Sequence, residues 1–235
     1  MNNIINIYKK ELASYFNGPM AYIFLIIFSL VNGYFFSNTF FIFGQSDMRA
    51  LFQIVPLIYL FFIPAISMSI IAKEKNSGTM EVISTLPIKN YEFVLGKYFA
   101  SITLILVALL LTGVHLVNLI DVGTNIDYGA IFTGYLGLFL AGCVYASMGV
   151  FASSLTDNQV IAFIIAIFFV LLFFLIDKLL IFIPNSLSGI FEYISIDYHL
   201  SNISKGVIDT RDILYFISLI SLFILLTIES LSRKK

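Results

Sequence analysis

The sequence predicts an all-α integral membrane protein that crosses a bilayer about six times. Three observations carry that expectation. Hydrophobic residues make up 60% of the chain and charged residues only 11%, against about 25% charged in a soluble domain whose surface must face water. The few charges are bunched, so they separate long charge-free runs. Most of those runs have bilayer length, about 20 residues. A chain this poor in charge has no means of covering itself in water, so lipid is its solvent. Its 235 residues suit one helical bundle rather than several soluble domains.

Residues 1–19 read as an N-terminal interfacial amphipathic helix. Ile4, Ile5, Tyr8, Leu12, Tyr15 and Phe16 follow a helical period, with Lys9, Lys10 and Glu11 off that stripe. Gly18-Pro19 breaks it. The apolar run that begins near Met20 is too long for a signal-peptide core and is followed by more of the same. Residues 20–235 then form the membrane domain. The spacing predicts spans over 20–44, 51–72, 98–120, 129–153, 159–183 and 213–231. The last rests on a charge-free run of 16 residues, Ile213 to Ile228, with Glu229 reaching from its end toward water. A polar segment, 73–97, separates the second and third spans, and a longer one, 184–212, precedes the sixth.

Six spans put both termini on one side. With that side cytoplasmic, the inner segments hold Lys9, Lys10, Lys73, Lys75, Lys89, Lys97, Arg233, Lys234 and Lys235. The outer ones hold Arg49, Lys178, Lys205 and Arg211. Nine basic residues against four satisfy the positive-inside rule. The acidic loop Asp121–Asp127 and the segment 184–212 then lie outside.

Few residues within the spans carry chemistry. His115 has no second histidine or carboxylate at helical spacing, so no metal motif is present and no metal site is expected. Asp177 and Lys178 are adjacent, about 100° apart on a helix, and read as snorkelling to the outer interface rather than facing each other. The single cysteine, Cys143, excludes an intrachain disulfide and reads as a small packed residue. Pro56 and Pro64 in the second span each remove a backbone donor and favour a kink. In the fourth span Gly142, Ala146, Gly149 and Ser153 recur at helical spacing, a face that lets helices approach closely in lipid. The one Gly-Lys pair, Gly96-Lys97, has Tyr91 where a phosphate-binding loop needs glycine and Tyr98 where it needs serine or threonine. The chain therefore lacks the usual means of hydrolysing ATP. With no basic stripe, nothing points to nucleic acid.

The informative stretch is 73–97. It is too polar to cross a membrane and too long for a turn. Ser77 or Thr79 is suited to capping a short helix with Met80, Ile83 and Leu86 on one face, ended by Pro87. Such a helix, held between two spans, suits docking in a groove on a partner.

The pattern Lys-Glu-Lys-x-x-Gly-Thr-Met-Glu-x-x-x-x-x-Pro from Lys73 to Pro87, with Leu-Gly-Lys at 95–97, resembles the cytoplasmic coupling segment of ABC-2 type permeases. Residues 149–163 and 203–216 are similar to a narrower group, the gliding-motility-associated permease subunits of the GldF type. The resemblance covers nearly the whole chain. It implies a six-helix permease fold of the ABC-2 type in a bacterial inner (cytoplasmic) membrane. It implies that Glu74, Gly78, Thr79, Glu81 and Pro87 contact a separate ABC ATPase, which binds the ATP and magnesium, with Asp157 and Asn158 as a lesser contact. It implies short re-entrant or interfacial helices in 184–212. It also implies a second permease domain, the same chain or a relative, and for GldF-type systems a further membrane subunit. A non-transporting scaffold of a motility or envelope complex is the alternative. A membrane-embedded enzyme is a weaker one, because it needs convergent ionisable groups.

Overall fold

The computed structural model describes residues 2–42, 44, 47–124, 126–182 and 184–233. Asn125, in the acidic loop, and Lys234 and Lys235, counted in the charge argument, lie outside the described residues. Helix α1 (Asn2–Asn17) leads into α2 (Pro19–Ser37), which closes in a π-turn over Asn38–Ile42. Helices α3 (Arg49–Ser67) and α4 (Ser69–Asn76) follow end to end, and then the short α5 (Thr79–Thr85). Next come α6 (Asn90–Leu111), α7 (Gly113–Val122), α8 (Tyr128–Leu155) and α9 (Gln159–Leu179), the last ending in a 3₁₀ turn. Helices α10 (Asn185–Ile194), α11 (Ile196–Ile203) and α12 (Thr210–Ser232) complete the chain. No strand occurs among the described residues.

Six helical stretches are long and apolar enough to cross a membrane: 19–42, 49–76, 90–122, 128–155, 159–179 and 210–232. Leu30, Phe61, Leu110 and Phe168 are among the large side chains that stay exposed on them, as lipid permits and water does not. Helix α8 is the axis of the bundle, touching α3, α4, α6, α9, α11 and α12. Its small residues explain the position. A Cβ on Gly142 would stand 2.9 Å from Ile105, and one on Gly149 would collide with Ser67. Ala146 and Ser153 are fully buried.

The structure corrects several boundaries. The second span runs on to Asn76, broken once at Met68. Past that break the helix ladder opens at the amides of Ile71 and Ala72. The hydroxyl of Ser153 on α8 fills the gap, accepting from the amides of Ile71 (3.0 Å) and Ala72 (2.9 Å) and donating to the Met68 carbonyl (2.8 Å). The third span begins eight residues before Tyr98, at Asn90, and breaks at Thr112, whose hydroxyl donates to Leu109 O (2.6 Å). The sixth span is longer than its charge-free run, because Asp212 enters the helix buried against His199. Asp177 and Lys178 were expected not to face each other. The flexible lysine stem curls back, and its ammonium bonds Asp177 (3.1 Å) and also Asp197 on α11 (2.6 Å).

Candidate coupling site

At one end of the bundle, α1, α4, α5, the start of α6, the turn after α8 and the end of α12 come together. Helix α4 stops because Gly78 adopts φ +70°, a left-handed conformation that glycine accepts without strain. That turn redirects the chain into α5. Gly78 itself occupies the N-cap position, so the expected caps are displaced: Thr79 is the first helical residue and Ser77 closes α4. Their hydroxyls bond one another at 2.9 Å. Leu86 leaves the predicted stripe, because the residue before proline is pushed into extended backbone, here φ −78° and ψ 153°. Met80 and Ile83 pack inward on the core. Glu81, Val82, Leu86 and Pro87 face outward. Glu81 sits in the first turn of α5 and forms no side-chain bond among the described residues.

Beneath α5 lies a buried ionic hub that the sequence did not announce. Lys97 is 2% exposed. Its ammonium bonds Glu11 on α1 (2.5 Å), Glu74 on α4 (3.0 Å) and the Ile70 carbonyl (2.7 Å), and lies 5.0 Å from the Phe93 ring. Glu74 also meets Lys10 at 3.6 Å. Three segments far apart in sequence are thus tied to one cation. Glu74, grouped by sequence with the outward contacts, turns inward into this hub, because a carboxylate beside a buried ammonium is held there.

Helix α1 lies along α6. Asn3 donates to Glu92 (3.1 Å), Tyr8 meets Thr103 (3.1 Å), and Ile7 covers Gly96, where a Cβ would stand 2.8 Å from it. Tyr15 is buried, and burial, followed by the charge of Glu11, raises its phenol well above the ordinary range, so it stays neutral. The apolar stripe of α1 is therefore shared: Tyr8 and Tyr15 pack inward while Ile5 stays exposed.

The lesser predicted contact lies beside this hub. Lys75 on α4 donates to the carbonyl of Ser154, and Ser230 of α12 reaches the same oxygen at 3.4 Å. A lysine at the carbonyl end of α8 complements its dipole. Four residues after Ser154, Asn158 caps α9 by accepting from the amides of Val160 (2.9 Å) and Ile161 (3.4 Å), and Asp157 stays exposed. Glu74 thus joins the hub while Gly78, Thr79, Glu81, Pro87 and Asp157 remain on the surface of the same end.

Sequence reasoning missed Lys97, Glu11 and Gly96 here, and His199 with Asp212 at the opposite end. His199 is fully buried, 2.6 Å from Asp212 and 2.9 Å from the Tyr193 carbonyl, stacked on Tyr215 with ring centres 3.9 Å apart. Both ring nitrogens face oxygen acceptors, and a neutral ring donates to only one of them. A signal did exist for Lys97: a lone lysine opening an apolar run invites a carboxylate partner. The sequence offers many candidates for that partner and no way to choose among them.

A model of the family described as ABC-2 family transporter protein matches residues 5–235. No curated protein matches the chain.

Proposed function

The chain belongs to the ABC-2 family of transporter proteins, and on that premise we propose that it is the membrane permease subunit of an ABC transporter, driven by a separate ATPase that docks on α5. The observation that carries the reading is the contrast at that end of the bundle. Helix α5 presents a carboxylate, Glu81, unpaired among the described residues, beside exposed Val82 (64%) and Leu86 (48%), a mixed surface suited to a partner's groove. Directly behind it, Lys97 and Lys75 tie α4 to α1, α6 and α8. A push on α5 is delivered through Gly78 to α4 and from there to these three helices at once, and rigid-body rocking of the bundle follows. Asp157 adds a second, smaller contact. The partner binds ATP and magnesium and does the hydrolysis; this chain supplies the moving part.

In this reading the α5 end is cytoplasmic, as are both termini, and the membrane is the bacterial inner membrane. The work done is export or movement across the membrane, and the chain works in pairs, with a second copy or a related permease. The likeness of 149–163 and 203–216 to GldF-type subunits favours a further membrane subunit and a role in gliding motility within the same scheme. Residues 1–19 serve as an interfacial helix whose exposed side rests on the headgroups.

The test is copurification. The tagged full chain, extracted in mild detergent from its own cell, is expected to bring down an ATPase in stoichiometric amount. Glu81→Lys reverses the one free charge on α5 and is expected to abolish that capture while the protein still inserts and elutes as a single species. A solitary chain with no ATPase activity, or capture indifferent to the reversal, would remove the coupling role from α5 and favour a scaffold.

A further inference from the structure

We propose that the end of the bundle opposite α5 carries a binding site for an anionic amphiphile, a molecule with a phosphate or carboxylate head and a hydrocarbon tail. A cavity of about 710 Å³ opens there between the starts of α3 and α8, the end of α9, and α11. That volume lies within the range of small-molecule sites, about 300–1,000 Å³. Three cations, Arg49, Lys178 and Lys205, line it against one carboxylate, Asp197.

The cations are unequally committed. The Lys178 ammonium is shared between Asp197 and Asp177. Arg49 has Asp47 at 3.9 Å, past hydrogen-bond distance, and its side chain is 80% exposed. Lys205 bonds the neutral side-chain oxygen of Asn202 at 3.3 Å. Arg49 and Lys205 therefore keep donors available on the same cavity, a guanidinium fork and an ammonium, which together suit a head with several oxygens.

The walls change character with depth. Leu57 lies eight residues into α3 from Arg49, about 12 Å along the helix, and Phe174 lies one turn inward of Lys178 on α9, about 6 Å. Both line the cavity with Phe52, and Leu57 is 45% exposed, so the apolar wall runs out onto the lipid-facing surface. Cations at the rim and hydrocarbon toward the middle of the membrane form a gradient. A hydrophilic anion leaves the lower wall unused, and a neutral amphiphile leaves the rim unused. The site makes no use of α5 and does not depend on the coupling reading.

Native mass spectrometry of the delipidated full chain in detergent provides the test, with phosphatidylglycerol and phosphatidylcholine as ligands and inorganic phosphate as competitor. Phosphatidylglycerol is expected to bind saturably and more tightly than phosphatidylcholine, and excess phosphate is expected to leave it in place. The double variant Arg49→Gln, Lys205→Gln is expected to weaken phosphatidylglycerol about tenfold or more, the loss of charge-assisted bonds. Both side chains are exposed, so melting should not change. Ser201→Phe, which fills the cavity without altering charge, is expected to weaken binding as well. Equal binding of the two lipids, or full affinity in both variants, would overturn the site. Displacement by phosphate would overturn the amphiphile and leave a free-anion site. ATPase capture measured on the same variants is expected to stay intact, so failure here and failure of the coupling reading are read separately.

Discussion

A single ammonium group organises one end of this protein. Lys97 is nearly inaccessible, and its carboxylate partners are only 15% and 13% exposed, so screening by water is weak. Removing one member of such a buried set leaves uncompensated charge, a loss on the order of 3–5 kcal/mol. Lys97→Met is therefore expected to lower thermal stability in detergent sharply, because Glu11 and Glu74 then lose the buried cation they share and only the exposed Lys10 stays near Glu74. The triple change Lys97→Met, Glu11→Gln, Glu74→Gln is expected to recover most of it, since neutral groups of similar shape avoid the larger cost of unpaired buried charge. A melting curve for each separates the electrostatic account from loss of packing around the lysine stem: if the triple variant melts as low as the single one, the ionic account fails. The sequence signals that Lys97 needs a carboxylate, but not which one. Lys97 stood at the edge of a predicted loop, and only the lie of α1 along α6 shows that Glu11, 86 positions away, is its partner.

At the scale of elements, the apolar runs were legible because spanning a bilayer demands length and lack of charge, and both are written residue by residue. Helix ends were less so. The second span was expected to stop at Ala72, yet α4 continues through Lys73, Glu74 and Lys75, because Glu74 and Lys75 find partners in the fold while Lys73 faces water. Asp212 extends the sixth span for the same reason. The small residues of the fourth span were legible as a set, but not what each one meets. Ser153 is the clearest case, since its hydroxyl takes up two amides and a carbonyl at the α3–α4 break. Ser153→Ala orphans those amides and is expected to cost about 1–3 kcal/mol, seen as a lower melting temperature; an unchanged melt would mean that water or a rearranged backbone satisfies them. Gly149→Leu is expected to do greater damage, because its side chain meets Ser67 directly behind the same break.

For the whole molecule, the topology makes a prediction that needs no partner. The α5 end and the α10–α11 end lie on opposite faces of the bundle. Cysteine at Asn76, which is exposed, is expected to react with an impermeant maleimide only from the cytoplasmic side. Cysteine at Gly189, where an added Cβ meets nothing within 4 Å, is expected to react only from outside. Native Cys143 is buried and should stay silent. The reverse labelling pattern would invert the molecule and overturn the charge count that oriented it. The central place of α8 has a further consequence, for synthesis. It is the least apolar of the six spans and the most enclosed, and it is followed at once by α9, the most apolar and the least enclosed. A newly made chain must hold three spans in the bilayer before the helix they pack against exists. That helix has the weakest affinity of its own for lipid, and it is joined by a three-residue turn to the helix with the strongest. Helices α8 and α9 thus enter the membrane most favourably as one hairpin, the outer helix carrying the inner one in, and the bundle closes late, around a member that could not have come first.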